Sequence, residues 1–168
     1  MLTDVNLSVT MKAIMSGAVD LATSESRFAL PRALSYTDGA GASQANVLWH
    51  DKRQIAASGT DDIDLSGALV DALGVAAVYA RVKGLMVYAW PANTNNVVVG
   101  GAAATQWVGP FGAATHTVAL QPGGLLTLAT VSAAGWPVVN AASDLLRIAN
   151  SAGGTVVDFE IAILGASS

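Results

Sequence analysis

Val78 to Gly101 reads VYARVKGLMVYAWPANTNNVVVGG, and the fold turns on how this stretch is read. Tyr79, Arg81, Lys83 and Leu85 share one parity; Ala80, Val82, Gly84 and Met86 share the other. In a strand the two parities point to opposite faces of the sheet. Val87, Tyr88 and Trp90 continue the run with side chains suited to a pleated, half-buried surface. Pro91 withholds a backbone donor, and Asn93 to Asn96 bring short polar side chains that bond nearby backbone. Val97 to Val99 then resume the apolar pattern before Gly100 and Gly101. The stretch predicts two strands joined by a turn, a hairpin at the centre of the core.

Downstream, short apolar runs alternate with turn signals. Thr115 to Leu120, Leu125 to Thr130, Asp144 to Asn150 and Thr155 to Gly165 read as strands. Gln121 to Gly124, Ala133 to Pro137 and Ser151 to Gly154 read as turns, and Ala102 to Ala114 as a loop. Upstream, ANVLWHDKRQIAAS (residues 45 to 58) offers Val47, Trp49 and Ile55 to a core, with His50 to Arg53 as a turn or an exposed strand crossing. Ala68 to Leu73 predicts a helical turn closed by Gly74. No gap between strands has room for the crossover helices of a parallel sheet. The expected class is all-β, an antiparallel β-sandwich of jelly-roll type.

The first forty-four residues differ. Val5, Leu7, Val9 and Met11 alternate with Asn6, Ser8, Thr10 and Lys12, a half-buried strand. Val19 to Leu30 is more polar, carries Phe28 and Leu30 on one parity, and meets Pro31, which reads as an interruption. Thr37 to Gln44 is a flexible loop by composition. Residues 1–44 are therefore expected to form an extended arm or added strands, and 45–168 the sandwich. Val5, Leu7, Val9, Met11, Phe28 and Leu30 are the candidate partner contacts.

Composition narrows the function. Of 168 residues, 52% are hydrophobic and 12% charged, with mean hydropathy +0.49. That charge is about half the usual share, which points to an exterior covered by copies of the chain or by a partner. Net charge is −4 with no basic run, against direct binding of nucleic acid. No window matches an apolar membrane span, and the first residues lack the basic start of a secretory leader. Cysteine is absent, so packing and backbone hydrogen bonds must hold the fold.

Chemistry-bearing residues are sparse. His50 or His116 with Asp51 or Asp144 would need a serine in a nucleophile elbow, and no G-x-S-x-G is present. Asp61, Asp62 and Asp64 offer oxygens to Ca²⁺ but lack the glycine and distal glutamate of a calcium loop; solvated turn residues are the commoner use. The glycine pairs lack a phosphate-loop lysine and a following helix. Trp90, Trp107, Phe111 and Trp136 fit plugs at the ends of a sandwich, and Trp107, Phe111 and Trp136 are also the candidate aromatic surface for a glycan. No catalytic residue, cofactor or metal is assigned.

From Ala45 onward, ANVLWHDKRQIAAS, DDIDLSGALVDALG, ARVKGLMVYA, NTNNVVVGGAA, GPFGAATHTVALQPGGLL and DLLRIANSAGGTVVDFEIAILGA together resemble small virion structural proteins of tailed bacteriophages. The resemblance lies in the order of NTNNVVVGG, PFG, PGG and DLLRIAN, and is to the capsid decoration, or cement, type. It implies a non-enzymatic β-sandwich on the outer surface of the capsid, bound to the major capsid protein and stabilising contacts between its subunits. A homotrimer near three-fold positions is the arrangement expected from symmetry. The alternative is a tail or fibre component with a host glycan-binding surface. Residues 1–44 match no pattern of the group.

Overall fold

A computed structural model describes residues 2–67, 69–101 and 104–168. Those residues form eleven strands and no helix. They are β1 (Val5–Val19), β2 (Ala22–Tyr36), β3 (Val47–Ile55), β4 (Thr60–Asp64), β5 (Arg81–Ala89), β6 (Val97–Gly100), β7 (Thr117–Leu120), β8 (Leu125–Ala129), β9 (Trp136–Pro137), β10 (Leu145–Asn150) and β11 (Val157–Ala166). β1 and β2 pair only with each other. The rest form two antiparallel sheets, ordered β4-β10-β6-β7 and β3-β11-β5-β8, with β9 on the end of β5. The pairing is nested. β6 pairs with β7, β5 with β8, β4 with β10 and β3 with β11, alternating between the two sheets.

The sheets share one core. Phe159, Ile161 and Ile163 of β11 stand opposite Ala89, Val87 and Leu85 of β5, facing Ile63, Leu146, Ile148, Val97 and Val99 from the other sheet, all buried. Alternation with period two turns each strand's apolar set inward, and burial of each large side chain contributes about 1.5–3 kcal/mol. At one rim Arg53 of β3 bonds Asp61 of β4 at 2.7 Å and lies over the Trp49 ring, linking the sheets. Arg147 of β10 holds Asp62 of β4 in its register position.

The all-β antiparallel sandwich read from the sequence is present, but several local readings need correction. β5 and β6 do not form a hairpin. Each lies in a different sheet, because β11 and β8 occupy both edges of β5 while β10 and β7 flank β6. The asparagines between them tie this crossing to the β10–β11 connection. Asn93 exchanges bonds of 2.9 Å with the backbone of Asp158, and Asn95 donates to the Asn150 side chain at 2.9 Å.

Ala68 of the expected helical turn over 68–73 lies outside the described residues, and no helical turn forms over 69–73. Asp71 accepts the N–H groups of Leu73 and Val75, and Val70 bridges Ala76, so the aspartate turns the chain back instead. Trp136 and Pro137, read as turn, are β9. Ala102 and Ala103 of the long loop also lie outside the described residues. Pro31 does not interrupt β2. Counting from the Val19–Ala22 pair that closes the hairpin, Thr10–Pro31 falls where neither residue exchanges N–H bonds, so the missing donor costs no ladder bond.

Candidate functional site: the hairpin arm and the sheet face beside it

β1 and β2 are paired in one register from Val5–Tyr36 to Val19–Ala22. Opposite residues share a face, so Val5, Leu7, Val9, Met11, Met15 and Val19 lie with Tyr36, Leu34, Leu30 and Phe28. The same face also carries Arg32, opposite Val9; the other face carries Asn6, Ser8, Thr10, Lys12 and Arg27, with the exposed Ile14 opposite Arg27. The ribbon is amphipathic by construction.

Only its root has something to pack on. Val5 and Leu34 pack with Leu2 against Tyr36, Ala45 and Leu164, and Leu7 reaches over Gly84. Beyond that the apolar face is bare: Met11 is 65% and Met15 67% exposed, and Val9, Phe28 and Leu30 are exposed as well. Leu21 at the tip is 97% exposed. Neither Asp20 nor Leu21 adopts the positive φ of the favoured hairpin turns. An isolated two-stranded ribbon is marginal in water. This one extends its apolar face well past its own body.

Four of the six predicted contact residues (Val9, Met11, Phe28 and Leu30) are on this bare stretch, while Val5 and Leu7 belong to the root. By packing, the arm ends at Tyr36, and residues 37–44 belong with the body. Thr37 bridges Gln44, Ser43 N–H bonds the Val131 carbonyl at 2.8 Å, and the loop folds over the Lys83 ammonium.

Lys83 is the anchor that sequence parity misplaces. Gly84 stands opposite Leu164 but Val82 opposite Gly165, so Lys83 is the extra residue of a bulge in β5. The bulge lets Val82 and Leu85, three apart, both face the core and turns Lys83 out of it. Its Nζ donates to the carbonyls of Ala40, Gly41 and Gln44 at 3.0, 2.5 and 2.7 Å. Three donors meet three acceptors, and among the described residues no carboxylate pairs with the ammonium. Burial holds the ammonium below its usual range, and Arg81 nearby adds repulsion. Lys83→Met is expected to keep the sandwich, cost about 1–3 kcal/mol and speed amide exchange in residues 37–44. Unchanged exchange there would show that the lysine does not hold the loop.

Beside the arm root the outer face of the β3-β11-β5-β8 sheet is apolar at its centre, along Leu48, Gly84, Met86, Ala162 and Leu164. In its first row, Leu48–Leu164–Gly84, the root covers Leu164 and Gly84 but leaves Leu48 exposed. The second row, His50–Ala162–Met86–Thr127, is not covered, and Met86 is 42% exposed. A trough of about 510 Å³ runs there between the root residues 2–8 and Leu48, Gly84, Met86 and Ala162. The third row closes it with polar groups. Lys52 sits 3.6 Å over the Trp90 ring, whose N–H donates to Glu160.

The other candidates are placed as follows. Trp107 is fully buried and donates to the Pro137 carbonyl at 2.9 Å, with Phe111 edge-on at 6.2 Å. Trp136 packs against the same core in β9. Trp107 therefore cannot serve as a stacking surface, and these aromatics plug the sandwich. His50 is exposed in β3, and His116 meets the Phe111 carbonyl through Nδ1. Asp144 accepts from Ser66 at 3.0 Å, yet among the described residues neither histidine bonds to this pair. Asp61 and Asp62 go to Arg53 and Arg147, and Asp64 accepts from Ser66. No group of three metal-ligating side chains occurs among the described residues.

Protein-family models, curated proteins and solved structures yield no match to the chain.

Proposed function

We propose that the chain is a non-enzymatic structural protein of a tailed-bacteriophage virion, a decoration protein on the outside of the head that stabilises contacts between major capsid subunits. The observation that carries this reading is the arm: a ribbon fifteen residues long on each strand, apolar on one face and tip, projecting from a closed sandwich. Such an element suits bridging to a neighbouring surface by apolar contact and by its free strand edges. The sequence resemblance from Ala45 onward supplies the context. The nested strand pairing supports reading the sandwich as a jelly roll, since that winding folds one long hairpin across two sheets. Repetition over a symmetric shell would multiply weak single contacts. The glycan-binding alternative is the weaker because Trp107, one of its three aromatics, is in the core.

The test is add-back to shells stripped of the protein. Residues 10–31 are replaced by Asn-Gly, joining Val9 to Arg32 and sparing both the root and the Lys83 loop. The full chain is expected to decorate the head and raise the temperature at which packaged DNA escapes, and the shortened chain to do neither. Equal decoration by both would remove the arm from the attachment. Density of the full chain confined to the tail would remove the head reading.

A further inference from the structure

The arm and the trough are both open apolar surfaces of the same chain. We propose that they are partners between copies: the distal arm of one molecule lies in the trough of a second, across Leu48, Ala162 and Met86.

Two observations favour a second copy as the occupant. The first is continuity. The root of each arm already covers Leu164 and Gly84 of the first row of its own sheet, with Leu7 over Gly84 and Val5 and Leu34 near Leu164, and leaves Leu48 open. A second ribbon laid alongside would repeat that packing on the second row, where Ala162 leaves space and Met86 can adjust to fill it.

The second is area. At about 3.4 Å per residue and two strands about 4.8 Å apart, the bare part of the ribbon is roughly 30 Å by 10 Å. One docked arm removes roughly 600 Å² counting both surfaces, too little for a stable complex. Two exchanged arms remove roughly 1,200 Å², the lower bound of specific interfaces. Reciprocal exchange, or a closed ring of copies, supplies that doubling without any other partner.

Self-association can be measured without any virion, so its failure is separate from failure of the decoration reading. The absence of cysteine makes the test clean. Phe28→Cys and Met86→Cys, each exposed in the monomer, are made singly and mixed under mild oxidation. The expected result is a disulfide-linked dimer containing one of each, together with sedimentation of the wild-type chain as an oligomer and of the 10–31 replacement as a monomer. A wild-type chain that stays monomeric at high concentration would overturn the proposal. So would an oligomer that survives the replacement, or cross-linking of Phe28→Cys only with itself, which would mean arms pair with arms.

Discussion

Trp107→Ala is expected to lower the unfolding free energy by about 3–5 kcal/mol, the usual cost of emptying a large aromatic site. The ring is fully buried, its N–H is spent on the Pro137 carbonyl and its backbone N–H on Leu145 at 2.9 Å. Gly109 passes so close that a Cβ there would lie 2.5 Å from the ring, so the chain is moulded around the indole. Removing it leaves a cavity bounded by strands of both sheets and takes away the edge-on partner of Phe111. Urea denaturation should show a lower midpoint with an unchanged slope. Trp107→Phe should cost less, since it keeps most of the volume and gives up one hydrogen bond. A loss below about 1 kcal/mol for alanine would mean that the loop can collapse to fill the space.

Asp144→Asn is expected to cost about 2–3 kcal/mol at neutral pH. The carboxylate is buried and gathers three segments. It accepts from Ser66 after β4, from Thr105 in the β6–β7 connection and from the Ala141 N–H at 2.6 Å. Burial pushes its pKa up, but the bonds from Thr105, Ala141 and Ser66 outweigh that and hold it below 3.8. A carboxyl depressed in the folded state stabilises above its unfolded pKa, and that contribution is lost as pH falls through the lower folded value. The gap between wild type and variant should therefore be full at neutral pH and narrow as pH falls through the ordinary carboxylate range towards the lower folded value. Thermal unfolding across that range reads it directly. A gap independent of pH would show that shape, not charge, is what asparagine fails to supply.

The sequence made some of this legible because some of it is local. The alternation of Val5, Leu7, Val9 and Met11 with polar residues marks one face of the arm, since strand periodicity needs no knowledge of the partner strand. The arm's second half was harder to read. Asp20-Leu21 carries no glycine or asparagine to announce a hairpin turn, and Pro31 reads as a break until its place in the ladder is known. The central stretch failed for a topological reason. The strands on either side of Asn93 to Asn96 look like hairpin partners, yet which sheet a strand joins depends on β8, β10 and β11 far along the chain. Lys83 failed for a geometric one. Strict parity pairs it with Leu85, and only the bulge, detectable as two core-type residues three apart at Val82 and Leu85, releases it towards the loop at 40–44.

The nested pairing also sets a timetable. Asn46 bonds to Ser167 across 121 residues, and β3 cannot find β11 until nearly all the intervening strands exist. Loop-closure entropy makes such remote pairing slow. The arm, by contrast, closes across two residues and can zip in microseconds. A nascent chain would thus display its adhesive ribbon before the sandwich that is meant to carry it has closed. Crowded synthesis would then favour premature arm-to-arm tangles, and recovery of soluble protein should improve when translation is slowed or the temperature lowered.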